Sequence, residues 1–263
     1  MPVVTLFEFI GRLLINRLQA FGLAVIFLWQ ALFSFCRPPF RFNLVLTQLR
    51  MIGVNSTLVI ALIGLFTGAV LAVQAEYTLS KFGASAYTGS AVALSLIREL
   101  GPVLTALMVI GRAGSASTAE LGIMKITEQI DALRSMAIDP IKYLIAPRII
   151  AGTIAMPLLA ALFITVGIWG GYIVSVGLLG LSSGTFMSIM EAAVSEIDIY
   201  SGFLKSLVFG FLFSWVSCFK GYHCGFGAIG VNKATTQSVV TASVSILVVD
   251  YFLTSILTRV FLD

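Results

Sequence analysis

Charged residues are scarce in this sequence. Asp, Glu, Lys and Arg make up 11% of the 263 residues, whereas hydrophobic residues make up 59% and the mean hydropathy is +1.03. Soluble domains carry roughly 25% charged residues. A soluble core could not bury this much apolar surface, so the composition excludes a soluble enzyme and predicts an all-α integral membrane protein.

Cysteine and histidine are scarcer still. The sequence contains Cys36, Cys218 and Cys224 and a single histidine, His223. Two of the thiols flank the imidazole, but their spacing lacks the ligand pattern of a structural zinc site. The sequence also lacks a Gly-x-x-x-x-Gly-Lys-Ser/Thr phosphate loop and any soluble segment large enough for a nucleotide-binding fold. We therefore expect no metal and no cofactor in this chain.

Long uncharged runs are abundant, and they set the number of membrane crossings. An apolar helix needs about 20 residues to cross a bilayer. The stretch after residue 176 is broken by Gly180, Ser182, Ser183 and Gly184, which predicts a loop or short helix there. Residues 51–263 are thus expected to form a five-span domain, with spans at about Met51–Ala75, Phe82–Gly111, Ile149–Val176, Ile199–Phe219 and Thr236–Leu257.

The first apolar run, Leu18–Cys36, is ambiguous because hydropathy alone would let it cross. Positively charged residues concentrate on the cytoplasmic side of bacterial membrane proteins. A crossing would split the flanking arginines, with Arg12 and Arg17 on one side and Arg37, Arg41 and Arg50 on the other. We therefore predict that residues 1–50 form a cytoplasmic and interfacial (elbow) helix region, with the C-terminus periplasmic. This topology places 12 of the 16 basic residues inside: Arg12, Arg17, Arg37, Arg41, Arg50, Arg112, Lys125, Arg134, Lys142, Arg148, Lys220 and Lys233.

The segment at about 120–148, between the second and third predicted spans, mixes charges with apolar residues at helical spacing. This pattern predicts an amphipathic cytoplasmic helix that Asp139-Pro140 would end. Such a helix could rest on lipid headgroups or dock a cytoplasmic partner.

Four charged residues fall within predicted spans, where a charge costs roughly 2.5 to 3.5 kcal/mol on insertion scales. They are Arg98, Glu99, Lys205 and Asp250. Pro102 lies three residues after Glu99 and could kink the second span. Two interpretations follow: the discontinuity lies beside a lipid path, or the charges form an interhelix salt-bridge network that locks the bundle.

The middle of the chain carries a set of motifs whose order and spacing resemble the MlaE (YrbE) permease family. The match covers about 50 residues closely, and the membrane pattern extends it over nearly the whole chain. The motifs are Arg98-Glu99-Leu100-Gly101-Pro102-Val103, Gly111-Arg112-Ala113-Gly114-Ser115-Ala116, Ala119-Glu120-Leu121-Gly122, Thr127-Glu128-Gln129, Asp139-Pro140 and Pro147-Arg148.

The resemblance implies the permease subunit of an ABC transporter in the bacterial inner membrane. It implies a homodimer bound to a cytoplasmic ABC ATPase (MlaF-like), which would use the ATP and Mg²⁺, to a STAS-domain protein (MlaB-like) and to a periplasmic MCE-domain hexamer (MlaD-like). The implied cargo is phospholipid, moved between inner and outer membranes to maintain outer-membrane lipid asymmetry.

The resemblance also suggests residue roles. The segment Lys125–Asp139 would be the coupling helix, with Glu128, Arg134, Met136 and Asp139 as its candidate contacts to the ATPase. A lipid cavity at the dimer interface would be lined near the end of the first span. Its candidate residues are Leu71, Gln74, Tyr77, Leu79, Phe82, Arg98 and Glu99.

Three other functions stay open. An ion- or proton-coupled secondary transporter could use Glu99, Lys205 and Asp250 as a relay, although such transporters usually contain internal repeats and none is evident here. A membrane enzyme of lipid synthesis would need clustered carboxylates, but the aspartates are scattered. An assembly scaffold without a transport path is the third.

Overall fold

The fold is described from a computed structural model that places residues 42–262, together with residues 11, 15, 18, 19, 22–31 and 33 of the N-terminal region. Every regular element in the described part is a helix. The α-helices are α1 (Gly22–Ala31), α2 (Phe42–Ile52), α3 (Thr57–Ser80), α4 (Thr88–Ser95), α5 (Gly101–Val109), α6 (Ser115–Ile126), α7 (Gln129–Ser135), α8 (Ala146–Gly177), α9 (Ser183–Ala193), α10 (Glu196–Tyr222) and α11 (Gly227–Leu262).

Five helical segments are long and apolar enough to cross a membrane, which confirms the predicted number of spans. They extend beyond the uncharged runs because their ends remain helical after the charged residues begin. We call them spans 1 to 5: Phe42–Ser80, Ser85–Ile126, Ile141–Gly177, Glu196–Tyr222 and Gly227–Arg259. The predicted short element after span 3 is α9, which follows a turn at Gly180 with φ +71°.

Successive spans run in opposite directions, so the connections alternate between two ends of the bundle. We call the end with connections 127–140 and 223–226 the basic end, and the end with connections 81–84 and 178–195 the opposite end. The boundary predicted near residue 50 falls inside α2, which is the first helix of span 1.

Glycines bring the central helices into close contact. A Cβ at Gly64 would lie 2.8 Å from the carbonyl oxygen of Phe163, and one at Gly202 would lie 2.5 Å from that of Ile97. Small residues allow such approaches between membrane helices. Span 4 has the largest buried share and span 5 the smallest, so span 5 presents most of its apolar surface outward.

The connection at the basic end differs from the predicted single amphipathic helix. Span 2 ends at Ile126, Glu128 adopts a left-handed conformation with φ +59°, and α7 covers only Gln129–Ser135. The apolar periodicity is real, since Ile130 is buried. The apolar residues keep a helical spacing on both sides of the turn at Glu128, so their spacing cannot reveal the turn.

The role of Asp139-Pro140 also needs correction. α7 has already ended at Ser135, and the Asp139 side chain accepts a hydrogen bond of 2.9 Å from the backbone N–H of Ile141. Asp at the position before a helix, followed by Pro at its first position, is a typical helix start. The dipeptide therefore begins the helix of span 3.

The N-terminal helix α1 packs at the basic end. Phe27 is buried and its ring contacts Phe219, Tyr222 and His223, with ring centroids 5.6 to 5.7 Å apart. These three residues end span 4 or follow it. The remaining residues of the run Leu18–Cys36 lie mostly outside the described part, and the prediction that this run does not cross stays a prediction.

Candidate functional site

Lys205 is the centre of a charge network that joins spans 2, 4 and 5. Its side chain is 2% exposed, and its Nζ lies 2.7 Å from Glu99 Oε2 and 3.2 Å from Asp250 Oδ1. It also donates to Thr254 Oγ1 at 2.7 Å and to the carbonyl oxygen of Arg98 at 3.0 Å. A buried ammonium needs such partners, because an unpaired charge away from water is costly.

The backbone of span 2 explains why Lys205 reaches a main-chain carbonyl. Residues Leu96–Leu100 form a π-helical turn, and Pro102 follows it. Proline has no N–H to donate to the carbonyl four residues earlier, which is that of Arg98. Lys205 donates to this oxygen instead, so the discontinuity in span 2 is joined to span 4 by a side chain.

Arg98 is held by a residue that the sequence reasoning did not pair with it. Its Nε lies 2.6 Å from Asp198 Oδ1, and the Asp198 side chain is 6% exposed. Asp198 also accepts hydrogen bonds from the backbone N–H and the hydroxyl of Ser195, which completes a capping box at the start of α10. The pattern Ser-x-x-Asp before an apolar run could have identified this cap.

An open cleft with a volume of about 200 Å³ lies near the opposite end, and its lining includes Arg98, Glu99, Asp198 and Lys205. The network contains the cations of Arg98 and Lys205 and the carboxylates of Glu99, Asp198 and Asp250. The carboxylates outnumber the cations by one, and each cation has an ionic partner. Ion pairs of Lys205 with Glu99 and Asp250 thus join three spans, and the roles predicted for these charges stay predictions.

The predicted lipid-cavity residues lie elsewhere. Tyr77 is 67% exposed and Phe82 is 80% exposed, while Lys81 Nζ lies 4.0 Å from the centroid of the Tyr77 ring. Gln74 is also exposed, and Leu71 and Leu79 are partly buried along the same helix end. None of the five lines the cleft that contains Arg98 and Glu99. Gln74 and Tyr77 are exposed positions of α3, Leu71 packs against the core, and Phe82 lies in the turn after α3 at the opposite end.

The predicted coupling residues lie together at the basic end, on and around α7. Glu128 and Asp139 are exposed, and Met136 is 61% exposed. Arg134 pairs with Asp131 at 3.1 Å and donates to the hydroxyl of Tyr222 at 2.7 Å. The exposed side chain of Arg134 thus connects α7 to the end of span 4.

Two further motif arginines have partners that the sequence alone did not indicate. Arg148 is 3% exposed and lies 2.8 Å from Glu120, which joins spans 2 and 3. Arg112, in the π-helical turn Ile110–Gly114, donates to Ser56 Oγ at 2.6 Å. The family motifs thus coincide with two π-helical turns and with contacts between spans.

Comparison with known proteins places the chain in a family. A family model described as "Permease MlaE" matches residues 45–256. The chain is 47% identical over 210 residues to the intermembrane phospholipid transport system permease protein MlaE of Haemophilus influenzae, covering 79% of this chain and 80% of that protein. It is 43% identical over 203 residues to a probable ABC transporter permease protein of Rickettsia bellii, covering 77% and 78%.

A more distant relative is a plant protein. Over 165 residues the chain is 39% identical to the chloroplastic protein TRIGALACTOSYLDIACYLGLYCEROL 1 of Arabidopsis thaliana, covering 63% of this chain and 47% of that protein. The family model covers well over half of the chain, and the bacterial relatives match most of their own length. The chain belongs to the MlaE permease family.

Proposed function

We propose that the chain is the membrane subunit of an ABC transporter that moves phospholipids between the inner and outer membranes. The observation that carries the proposal is the family match over residues 45–256, which includes residues of all five spans. The sequence contains no phosphate-loop motif for binding ATP. The energy would come from a separate ATPase subunit. The same proposal includes two further partners, a STAS-domain protein and a periplasmic MCE-domain hexamer. It also includes a role in maintaining outer-membrane lipid asymmetry.

The charge distribution supports an orientation with the basic end in the cytoplasm. The basic residues described at that end are Arg50, Arg112, Lys125, Arg134, Lys142, Arg148, Lys220 and Lys233, whereas Lys81, Arg98, Lys205 and Arg259 lie toward the opposite end. Basic residues near span ends favour the cytoplasmic side. The N-terminus would then be cytoplasmic and the C-terminus periplasmic.

The connection 127–140 is the proposed docking site for the ATPase. It presents Glu128, Met136 and Asp139 outward, and Ile130 anchors it to the core. The hydrogen bond from Arg134 to Tyr222 links α7 to the end of span 4. A displacement of α7 by the ATPase would therefore reach span 4, and through Lys205 it would reach spans 2 and 5.

The surface formed by the C-terminal part of α3 and the turn after it, at the opposite end, is the proposed wall of the lipid cavity. Leu71, Tyr77 and Phe82 combine apolar surface with the nearby Gln74, which suits the chains of an amphiphile. A second copy of the chain in a homodimer would close this face into a cavity.

Photo-crosslinking tests the cavity with a matched control. Tyr77 on span 1 and Trp169 on span 3 are similarly exposed, at 67% and 64%. A photo-crosslinking residue at position 77 should capture phospholipid that stays with the purified dimer, whereas one at position 169 should capture less. Equal capture at both positions would assign Tyr77 to ordinary lipid-facing surface.

Transport itself is tested by reconstituting the chain with its ATPase in proteoliposomes that contain fluorescent phospholipid. We expect lipid transfer that stops when the ATPase is inactivated and does not respond to a proton gradient. Transfer that continued with the inactive ATPase and followed the gradient would favour the ion-coupled alternative through Glu99, Lys205 and Asp250.

A further inference from the structure

A second polar cleft lies at the basic end, between α2 and span 2, and its volume is about 120 Å³. Its polar lining consists of Gln48, Asn55, Arg112, Ser117 and Glu120. It is separate from the network around Lys205 and from the proposed lipid cavity, both of which lie near the opposite end.

Arg112 differs from the paired arginines of the spans. Arg98 pairs with Asp198 and Arg148 pairs with Glu120, whereas no carboxylate of a described residue forms an ion pair with Arg112. Its Nη1 donates to Ser56 Oγ at 2.6 Å and to the carbonyl oxygen of Met51 at 3.4 Å. Among the described residues, its Nε and Nη2 have no hydrogen-bond partner, so donors remain available to a ligand.

The other groups of the cleft suit an anion. Glu120 is the one carboxylate in the lining, and Arg148 lies 2.8 Å from it. Two arginines and one carboxylate leave the region with one excess positive charge. The side-chain amides of Gln48 and Asn55 and the hydroxyl of Ser117 can each donate a hydrogen bond. A guanidinium with such donors around it fits a phosphate group.

The depth of the cleft identifies the source of that phosphate. The 24 residues of α3 form a helix of about 36 Å, which covers a hydrocarbon core of about 30 Å. Arg112 contacts Met51 and Ser56, just before α3 begins. It therefore lies at the level of lipid headgroups, where basic pockets between helices bind anionic lipids.

We propose that the cleft around Arg112 binds the phosphate of a phospholipid headgroup in the membrane leaflet at the basic end. The phosphate lies against the free face of the guanidinium, and the amides of Gln48 and Asn55 orient it. This site is independent of the proposed transport function, because lipid binding there requires neither an ATPase nor a second copy of the chain.

The test is a thermal-unfolding titration of the full-length chain in a phosphate-free maltoside detergent. The probes are a short-chain phosphatidylglycerol, the diacylglycerol with the same acyl chains, and inorganic phosphate. Phosphatidylglycerol should raise the unfolding midpoint, and Arg112→Gln should weaken its apparent affinity roughly tenfold because a charge-assisted hydrogen bond is lost. Arg50→Gln is the matched control, since Arg50 is an exposed arginine at the same end and its replacement should leave the affinity unchanged.

A second variant keeps the test decisive if Arg112→Gln does not fold. Asn55→Asp adds a carboxylate to the cleft at an exposed position and should weaken the affinity for phosphatidylglycerol while Arg112 stays in place. Equal affinity in the wild type and in the variant that folds would overturn the site. Equal shifts with diacylglycerol, or with inorganic phosphate at the same concentration, would overturn the assignment to a lipid headgroup.

Discussion

The charges around Lys205, near the opposite end, are arranged differently from those of Arg112 and Arg134 at the basic end. Lys205 is 2% exposed and bridges Glu99 and Asp250, so its charge is held by two carboxylates from other spans. At the basic end, Arg134 has a side chain that is 57% exposed, and Arg112 has donors to spare. The first arrangement holds spans together, whereas the second leaves charge available for partners and lipids.

Among the replacements that test this contrast, replacement of Lys205 should cause the largest loss of stability. Lys205→Met leaves Glu99 and Asp250 without their cation, and breaking a buried pair in this way costs about 3 to 5 kcal/mol. We expect a markedly lower midpoint of thermal unfolding in detergent. Lys233→Met, at an exposed position of the basic end, is the control and should unfold like the wild type.

A compensated variant sharpens this test. Lys205→Met combined with Glu99→Gln and Asp250→Asn removes the stranded charges along with the lysine, so most of the stability should return. A triple variant as unstable as Lys205→Met alone would show that packing rather than charge pairing dominates at this position.

Asp198 should matter less, because its partner Arg98 has a side chain that is 55% exposed. Asp198→Ala removes both the ion pair and the capping box of α10, and we expect a loss of about 1 to 2 kcal/mol. Asp198→Asn can retain the cap, so it should cost under about 1 kcal/mol, the range of an exposed ion pair. Chemical denaturation of the two variants measures the difference, and equal losses would assign the whole effect to the ion pair with Arg98 rather than to the cap.

At the basic end, Tyr222→Phe should change stability by only about 0.5 to 1.5 kcal/mol, the net contribution of one hydrogen bond. It removes the hydroxyl that accepts from Arg134 but keeps the ring that packs on Phe27. We expect ATP hydrolysis in the assembled transporter to persist while phospholipid transfer per ATP falls. An unchanged ratio of transfer to hydrolysis would remove Tyr222 from the coupling path.

The smallest effect concerns pH. Burial among aromatic rings, aided by the charge of Lys125, lowers the pKa of His223 below its ordinary value of 6.5. The folded state therefore favours the neutral imidazole, and its contribution to stability is present above about pH 6.5 and lost as the pH falls below that value. His223→Gln should flatten the pH dependence of the unfolding midpoint between about pH 7 and pH 5, and an unchanged slope would contradict this origin.

The number of spans, the short helix α9 and the charge asymmetry could all be predicted from the sequence, because hydropathy and loop charge determine them directly. The network could be predicted only in part. Lys205 and Asp250 stood out as charges in apolar runs, but the pairing of Arg98 with Asp198 joins residues 100 positions apart. The rotation of one helix against another determines such a pairing, and one sequence does not reveal that rotation.

The sequence pattern could not predict the π-helical turns or the conformation of the connection 127–140, for a different reason. Pro102 indicated a discontinuity, but the π-helical turn precedes it at Leu96–Leu100. Asp139-Pro140 is compatible with the end of one helix and with the start of the next, and only the hydrogen bond from Ile141 decides between them. Local signals of this kind locate a break in a helix without specifying its geometry.

The most direct test of the central claim is an ATPase pull-down with two matched pairs of charge reversals. Glu128→Lys with Arg134→Glu alters the exposed connection at the basic end, and Lys81→Glu with Glu191→Lys makes the same exchange at exposed positions of the opposite end. Both variants should insert, and the first should lose roughly as much stability as Tyr222→Phe, because it also removes the hydrogen bond between Arg134 and Tyr222. Only the first variant should lose the ATPase. Retention of the ATPase by the first variant, or an equal loss in both, would contradict the proposal that the connection 127–140 couples this permease to its energy source.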